Sequence, residues 1–280
     1  MREEYRLYIG IPTYNKPDTR FSIDTYGDLM FHIGRKHPEI KKLWRERNVR
    51  TYRASARQAI IESAVKHHAT HLLMLDDDMT FDPDTFDKIW NVCIQQENPS
   101  AVSAMYFTRG KPATVPCIWR LGPRGTVPIY EYPKDAVLTD KEGLEVVGFG
   151  CILFDMRVVD VVKLPWFDLG KGWGEDAAFC ARMLQSGCTL AVHTGAMCGH
   201  IHEDPVEITE QDYLAIKGRI LENEQMGTHS LVQVIEDDRD DPAGPYTSRG
   251  NKDQRSLDAR RGWRPKSGKW AEISRGIFGQ

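Results

Sequence analysis

The sequence predicts an α/β fold, because strand-like apolar runs alternate along the chain with segments of helical periodicity. The clearest alternation runs from an apolar segment at residues 5–11, through a helical pattern at 54–67, to a short apolar run at 71–75. The chain has 280 residues, of which 41% are hydrophobic, so it is long enough to bury a sizeable core.

The other elements of the first half follow from local signals. The first strand ends at Pro12, and a helix-prone region interrupted by glycines covers residues 20–37. In the helix at 54–67, apolar residues recur at helical spacing. Asp82 is a suitable N-cap for the next helix, and Pro83 suits its first position.

The second half continues the alternation after a long irregular region. Residues 108–143 are rich in proline and glycine, and we expect a long loop or hairpin region that shapes a binding cleft. Asp212 gives the last helix a capping-box-like start. The predicted strands are 101–107, 146–154 and 188–193, and the predicted helices are 176–186 and 209–226.

The composition changes at residue 236. An acidic run at 236–241 precedes a proline- and glycine-containing turn, and residues 249–275 then hold nine lysine and arginine residues against three acidic residues, a net charge of +6. Trp263 and Trp270 lie in this basic segment. We predict one α/β domain over residues 1–235 and a basic C-terminal extension over 236–280, partly ordered or packed on the domain.

Overall composition excludes several classes of protein. The net charge is −3, so the whole molecule is not a polyanion binder. No apolar stretch approaches the about 20 residues of a membrane span, and the first residues lack the pattern of a secretory signal. The six cysteines form no CxxC pair, so we expect them to be buried free thiols in a cytoplasmic protein. Because no membrane span is predicted, we also expect no membrane partner.

Three consecutive aspartates give the strongest functional signal. Asp76, Asp77 and Asp78 stand at the carboxyl end of the short strand 71–75, where ligand sites of open α/β sheets lie. Adjacent carboxylates repel each other unless a cation neutralises them, and Asp76 and Asp78 can converge on one divalent ion. The alternative interpretation is a solvated acidic turn that caps the next helix.

Two later segments add polar groups of complementary chemistry. Glu175 and Asp176 follow a glycine-containing loop and begin a helix, where a carboxylate can act as general base or simply favour the helix N-terminus. His200 and His202 follow the strand 188–193, and a neutral imidazole can complete a metal site. Taken alone, the acidic pair is equally consistent with a structural role, and a lone histidine is more often structural or solvated than a ligand.

In this order, the motifs resemble the GT-A fold glycosyltransferases, in particular the large group of inverting, nucleotide-sugar-dependent enzymes with an aspartate-x-aspartate pair. The resemblance covers about residues 5–203 and is specific as a series rather than in any one motif. The matching segments are residues 9–15, 56–57, 73–79, 147–151, 173–176 with Phe179 and Arg182, and 199–200.

The resemblance implies a nucleotide-sugar donor, with a UDP-sugar expected, bound at the end of the first strand. Arg57 is expected to approach the diphosphate, although a surface arginine on an amphipathic helix is the alternative. The residues expected to hold the base and ribose are Pro12, Thr13, Tyr14 and Asn15.

It also implies a GT-A (Rossmann-like) mixed sheet flanked by helices and a site for Mn²⁺ or Mg²⁺. Asp76 and Asp78 would be the metal-binding pair, with Asp78 the firmer ligand, and Asp77 would reach the ribose or donor sugar. His200 would be the third protein ligand, with His202 as the alternative.

For catalysis, the resemblance implies that Asp176 is the base that deprotonates an acceptor hydroxyl and that Glu175 touches acceptor or donor sugar. Single displacement would invert the anomeric carbon. The alternatives are a retaining GT-A glycosyltransferase that acts on a glycan or small molecule, a nucleotidyltransferase, and a non-catalytic sugar-binding module. A nucleotidyltransferase would usually carry a Gly-rich phosphate loop where this chain has Pro12–Asn15.

The basic segment raises the hypothesis of a DNA acceptor. Cations interleaved with tryptophans suit phosphate contact and base stacking, and some phage-type enzymes of similar fold glycosylate a hydroxymethylated base in DNA. The other interpretation is a solvated extension, or one packed on the domain through Trp263 and Trp270.

Overall fold

A mixed β-sheet with helices on both faces forms the part of the chain that the structure describes. The structure is a computed structural model that describes residues 4–13, 20–49, 52–98, 100–109, 114–122, 125–167, 174–203 and 206–225. The strands are β1 (Tyr5–Thr13), β2 (Ile40–Val49), β3 (His71–Leu75), β4 (Met79–Phe81), β5 (Ser100–Met105), β6 (Ile118–Gly122), β7 (Gly125–Pro128), β8 (Val137–Thr139), β9 (Val146–Val147), β10 (Cys151–Asp155), β11 (Thr189–Glu203) and β12 (Val206–Ile208). The helices are α1 (Tyr26–Lys36), α2 (Arg53–Lys66), α3 (Asp84–Ile94), α4 (Val158–Val161), α5 (Glu175–Gln185) and α6 (Glu210–Gln225), with a π-helical segment at Arg20–Thr25 and a 3₁₀ turn at Asp140–Glu142.

Among the described residues, nine strands form one sheet of mixed direction. Its main order is β12-β11-β5-β10-β3-β1-β2, and β4 and β8 also pair with β11. β1 is parallel to β2 and β3, and β11 is parallel to β5, whereas β10 lies antiparallel between β3 and β5. The predicted α/β mixed sheet flanked by helices is therefore confirmed.

The central strands are buried on both faces. Leu7 and Leu73 pack with α1 and α3 in one hydrophobic cluster, whereas Tyr8 and Leu72 pack with α2 and α5 in the other. Successive side chains of a strand point to opposite faces of a sheet, so each apolar strand supplies both clusters. This explains why β1 and β3 read as continuous apolar runs in the sequence.

Strand β2 was not predicted from the sequence. Its segment, Ile40–Val49, contains five charged residues, and the side chains of residues 40–48 are exposed or half-buried. It is the last strand in the main order of the sheet and pairs along its length with β1. An edge strand needs little apolar surface, and backbone pairing with β1 outweighs the polar composition.

Some predicted boundaries differ from the structure. The predicted strand 146–154 is two strands, β9 and β10, because the Gly148–Gly150 segment between them leaves the ladder. The predicted strand 188–193 begins one residue later and continues to Glu203 as β11. The irregular region 108–143 contains the antiparallel hairpin of β6 and β7, as the hairpin alternative predicted.

The starts of α2, α3, α5 and α6 were predicted to within one residue. The predicted N-cap of α3 was Asp82, but Pro83 is the cap and the helix begins at Asp84. The predicted capping interaction before α6 is confirmed, because the Thr209 backbone N–H and hydroxyl both donate to Asp212 Oδ2 at 2.8 Å.

All six cysteines are buried free thiols, as predicted. Residues 226–280 lie outside the described part of the chain. The division at residue 236 and the role of the basic extension therefore remain predictions.

Candidate functional site

The aspartate cluster lies where strands β1 and β3 end side by side. The two strands are parallel, with Gly10 opposite Met74, so continuing this register places Pro12 and Thr13 beside the residues that follow β3. Both residues are buried at the end of β1. Tyr14 and Asn15, the other predicted donor-binding residues, lie outside the described residues.

A strand pairing brings His200 to Asp78 across more than 120 positions of sequence. Short strand β4 pairs antiparallel with β11, with Met79 opposite His200, and the Ile201 N–H donates to the Asp78 carbonyl at 2.8 Å. The Asp78 Oδ2 atom consequently lies 3.7 Å from His200 Nε2. The two residues are close enough to share a cation.

The imidazole of His200 is oriented by its other nitrogen. Its Nδ1 lies 2.8 Å from the carbonyl oxygen of Phe107, so Nδ1–H donates and Nε2 faces Asp78. A metal-binding histidine usually has such a partner, which fixes the tautomer and the ring plane. This arrangement, together with the contact to Asp78, favours His200 over His202 as a ligand.

Arg109 is a residue that the sequence did not identify. Its Nη1 lies 3.0 Å from Asp78 Oδ2 and donates to the carbonyl of Ile201 at 3.2 Å. A basic residue shortly after β5, near the same edge of the sheet, was the available signal. The pairing with Asp78 could not be anticipated because it depends on the position of β11.

The three aspartates differ in their electrostatics. Burial raises the pKa of Asp77, and the charges of Asp78 and Asp76 raise it further, to about 7. For Asp78, burial also acts to raise the pKa, but the hydrogen bond and charge of His200 and the charge of Arg109 outweigh it. The pKa of Asp78 is therefore below its usual range, and its carboxylate remains charged.

Arg57 is buried among carboxylates rather than exposed on α2. Its side chain is 1% exposed, so the alternative of a surface arginine is wrong. One terminal nitrogen, Nη2, lies 3.0 Å from each oxygen of Asp76. The other, Nη1, donates to Asp176 and lies 3.3 Å from Glu175 Oε1. A single guanidinium thus joins the end of β3 to the start of α5.

Asp176 is held on both of its oxygens. One accepts from Arg57, and Oδ2 accepts from the Phe149 backbone N–H at 3.1 Å. The Phe149 ring lies under the guanidinium, 5.3 Å from its carbon to the ring centre. Burial raises the pKa of Asp176, and this outweighs the lowering by Arg57, with Glu175 and Asp76 raising it further.

Glycines allow the segment before β10 to approach the sheet closely. A Cβ atom on Gly148 would lie 2.0 Å from the hydroxyl oxygen of Tyr106. That hydroxyl accepts from the Gly150 N–H at 3.0 Å, and the Tyr106 ring contacts the His200 ring edge-on at 5.5 Å. The sequence resemblance included the two glycines, but their partner Tyr106 was not identified.

The structure therefore assembles most of the predicted residues at one edge of the sheet, in two groups. Arg57 gathers Asp76, Glu175 and Asp176, and the strand pairing gathers Asp78 and His200. Among the described residues, Asp76, Asp78 and His200 do not form a set whose donor atoms all lie within 4.8 Å of one another. Asp76 is turned toward Arg57, so its predicted role as a direct metal ligand remains a prediction.

None of the described helices combines the length and the apolar composition that a membrane span requires.

Comparison with known proteins shows similarity in structure but not in sequence. No family model matches the sequence, and no curated protein matches it. The crystal structure of A197 from STIV is similar, with a TM-score of 0.52 and 12% identity, over 74% of this chain and 91% of A197. The chain therefore has an α/β, GT-A-like (Rossmann-like) fold, and at this identity the similarity defines the fold alone.

The buried guanidinium leads to a stability prediction. Replacing Arg57 with methionine leaves Asp76, Glu175 and Asp176 without their shared cation, and breaking a buried ion pair costs about 3–5 kcal/mol. We expect this loss in the free energy of unfolding, measured by urea denaturation.

The matched control is Arg53→Met on the same helix. Arg53 is 53% exposed and lies 3.7 Å from Glu175 Oε1, so its loss should cost less than about 1 kcal/mol. Equal stability of the two variants would show that Arg57 does not hold the site together.

Proposed function

We propose that the chain is a metal-dependent glycosyltransferase that moves a sugar from a nucleotide-diphosphate sugar to a hydroxyl acceptor, with a UDP-sugar as the expected donor. One observation carries the proposal: Asp78 and an oriented His200 face each other at the carboxyl end of the sheet. The GT-A-like fold is consistent with this function but does not establish it, because unrelated activities share folds.

The donor atoms at Asp78 and His200 suit Mn²⁺ or Mg²⁺. Carboxylate and phosphate oxygens are preferred by both ions, and an imidazole is better accepted by Mn²⁺. When bound, such an ion neutralises the charge that develops on the leaving diphosphate. Asp76 retains lone pairs beside its contacts with Arg57, so it can serve as a ligand directly or through water.

Arg109 and Asp77 are placed to act on the donor. Arg109 is partly exposed and pairs with the same Asp78 oxygen that faces His200. A cation bound there would compete with Arg109 for Asp78, and the released guanidinium could then contact a phosphate. Asp77 lies beside the end of β1 and is proposed to contact the ribose or donor sugar.

Arg57 has partners other than the diphosphate that the resemblance implied. Its terminal nitrogens are occupied by Asp76, Glu175 and Asp176. We therefore assign it a positioning role, in which it fixes the donor-side Asp76 relative to the acceptor-side Asp176.

Asp176 is the proposed general base. It would take the proton of the acceptor hydroxyl as that oxygen attacks the anomeric carbon, while the bond from that carbon to the diphosphate oxygen breaks. Burial raises the pKa of Asp176 toward neutral pH. A general base works best when its pKa lies near the operating pH, because it is then both deprotonated and basic enough to take the proton. Glu175, in contact with Arg57, is proposed to touch the acceptor or donor sugar. A single displacement of this kind inverts the anomeric centre, and the configuration of the product tests this against retention.

The central test is metal-dependent turnover of nucleotide-sugars. Nucleotide-sugars are first screened for thermal stabilisation of the chain with Mn²⁺, and the best donor is then assayed for hydrolysis. We expect Asp78→Ala to abolish Mn²⁺-dependent stabilisation and hydrolysis, because the carboxylate of the ion site is removed. Asp176→Asn should retain donor binding but lose about 10²–10⁴-fold in transfer.

Asp160→Ala serves as the control, because Asp160 is exposed on α4 and is not part of the candidate site.

Stabilisation by nucleoside triphosphates with release of pyrophosphate would instead support a nucleotidyltransferase. Sugar binding without turnover or metal dependence would support a binding module.

The rate should also depend on the ionisation of Asp176. A general base must be deprotonated, so kcat/KM should rise with pH through the pKa of Asp176. Because burial raises that pKa, the rise should lie at higher pH than the value of about 4 of an ordinary aspartate. We expect Asp176→Glu to shift the profile. A profile that is already flat above pH 5, with full activity, would exclude Asp176 as the base.

For the acceptor, we retain the hypothesis of a hydroxymethylated base in DNA. It rests on the basic composition of residues 249–275, which lie outside the described residues. Binding to duplex DNA should weaken steeply with salt, as expected for phosphate contacts, and should be lost from a chain ending at residue 235. Salt-independent binding, or equal binding by both chains, would contradict a DNA-binding role for the extension.

A further inference from the structure

A second cluster of metal-binding side chains lies between helices α1 and α3. The Nε2 atoms of His32 and His37 lie 2.8 Å and 2.7 Å from one oxygen, Oδ1, of Asp87. All three donor atoms lie within 4.8 Å of one another. We propose that this cluster is a binding site for Zn²⁺ or a similar transition-metal ion, distinct from the candidate site at Asp78 and independent of the proposed function.

The end of α1 creates this arrangement. The helix ends at Lys36, and the N–H of His37 still donates to the Ile33 carbonyl at 3.1 Å. His37 therefore folds back beside His32, and both rings face Asp87 in the first turn of α3. His32 and His37, five residues apart in the sequence, thus direct their imidazoles at the same carboxylate.

His37 carries a further partner typical of a metal ligand. Its Nδ1 lies 2.8 Å from Glu39 Oε1, and the same oxygen accepts from Trp90 Nε1 at 3.1 Å. A carboxylate that accepts from the far nitrogen of an imidazole fixes the tautomer and strengthens the ligand. Phe86 and Trp90 pack against the His37 ring at 4.9 Å and 5.9 Å, so its position is rigid.

Counting hydrogen-bond donors indicates a cation in the cluster. A neutral imidazole has one N–H, and carboxylates only accept. If His37 donates to Glu39, its Nε2 directs a lone pair at Asp87, next to a second imidazole on the same oxygen. Either an extra proton or a metal ion must lie between these atoms for the contacts to be favourable.

The donor set selects among ions. Two imidazoles and one carboxylate, completed by water, form a common zinc site, whereas Mg²⁺ prefers oxygen ligands. Zinc ligands in a tetrahedron lie about 3.3 Å apart, given bonds of about 2.0–2.1 Å, so the Asp87 oxygen would move outward by about 0.5 Å. Asp87 is partly exposed and can make this adjustment.

The position indicates a structural role. Trp90, which touches His37, also contacts His71 at the start of β3 and Tyr5 at the start of β1. The Tyr5 N–H donates to the Glu39 carbonyl at 3.2 Å. The cluster is therefore associated with the amino ends of these strands, whereas Asp78 follows the carboxyl end of β3. An ion here would fasten α1 to α3 without entering the reaction.

The test is calorimetric titration of the chelator-treated full chain with Zn²⁺, in an Asp78→Ala background that removes the other candidate site. We expect one Zn²⁺ per chain and a raised melting temperature, with no corresponding heat from Mg²⁺. Co²⁺ added in place of Zn²⁺ should give the visible absorption bands of a four-coordinate, tetrahedral site. His32→Gln and Asp87→Asn, at half-buried side chains, should weaken Zn²⁺ binding by more than 100-fold, and Glu39→Gln by about 10- to 100-fold.

His68→Asn is the matched control, because His68 is exposed and asparagine accepts its positive φ of 52°. It should bind Zn²⁺ as the parent does. Melting curves without metal show that each variant is folded. The proposal is overturned if the parent chain binds no Zn²⁺, or if folded His32→Gln and Asp87→Asn bind it equally well. In that case the cluster is a hydrogen-bonded network that holds no metal ion.

Discussion

The buried guanidinium of Arg57 is the interaction on which the rest of the candidate site depends. The end of β3 supplies Asp76, and the start of α5 supplies Glu175 and Asp176, so carboxylates from distant parts of the sequence meet at one edge of the sheet. In a buried setting these charges would repel strongly. Because Arg57 contacts all three and is 1% exposed, α5 can dock beside β3 and the two ends form one surface.

This constraint divides the site into two halves with different freedom. In the half around Arg57, three carboxylates share one guanidinium that the protein encloses. In the half around Asp78, the carboxylate pairs with His200 and with Arg109, whose side chain is partly exposed. Tyr106 connects the halves, since its hydroxyl holds the Gly150 backbone N–H and its ring packs on His200. In the proposed reaction, a charged ligand would therefore change the half around Asp78 while the half around Arg57 keeps its geometry.

The sequence identified most residues of the candidate site but not the contacts between them. The α/β class and most elements followed from apolar periodicity, whereas β2 did not, because a charged edge strand is specified by its neighbour. Asp78 and His200 are local motifs whose roles the resemblance could suggest, but their contact requires the pairing of β4 with β11. Arg57 and Arg109 carry no local mark of burial or partner, because ion pairing between distant segments is decided only when the sheet is assembled.

The fold places the two proposed cation sites on connected elements. The chain passes from Asp78 through β4 directly into α3, which carries Asp87. The first cluster has one imidazole and the second has two, and affinity for zinc increases with nitrogen ligands. Under the two proposals, zinc would therefore fill the His32–His37–Asp87 cluster before it competes at Asp78, and Mn²⁺ or Mg²⁺ would occupy the site at Asp78 when zinc is scarce. Ligand type alone would then separate the two ions. The proposed zinc ion would hold α3, and α3 follows β4, the strand whose pairing with β11 positions His200.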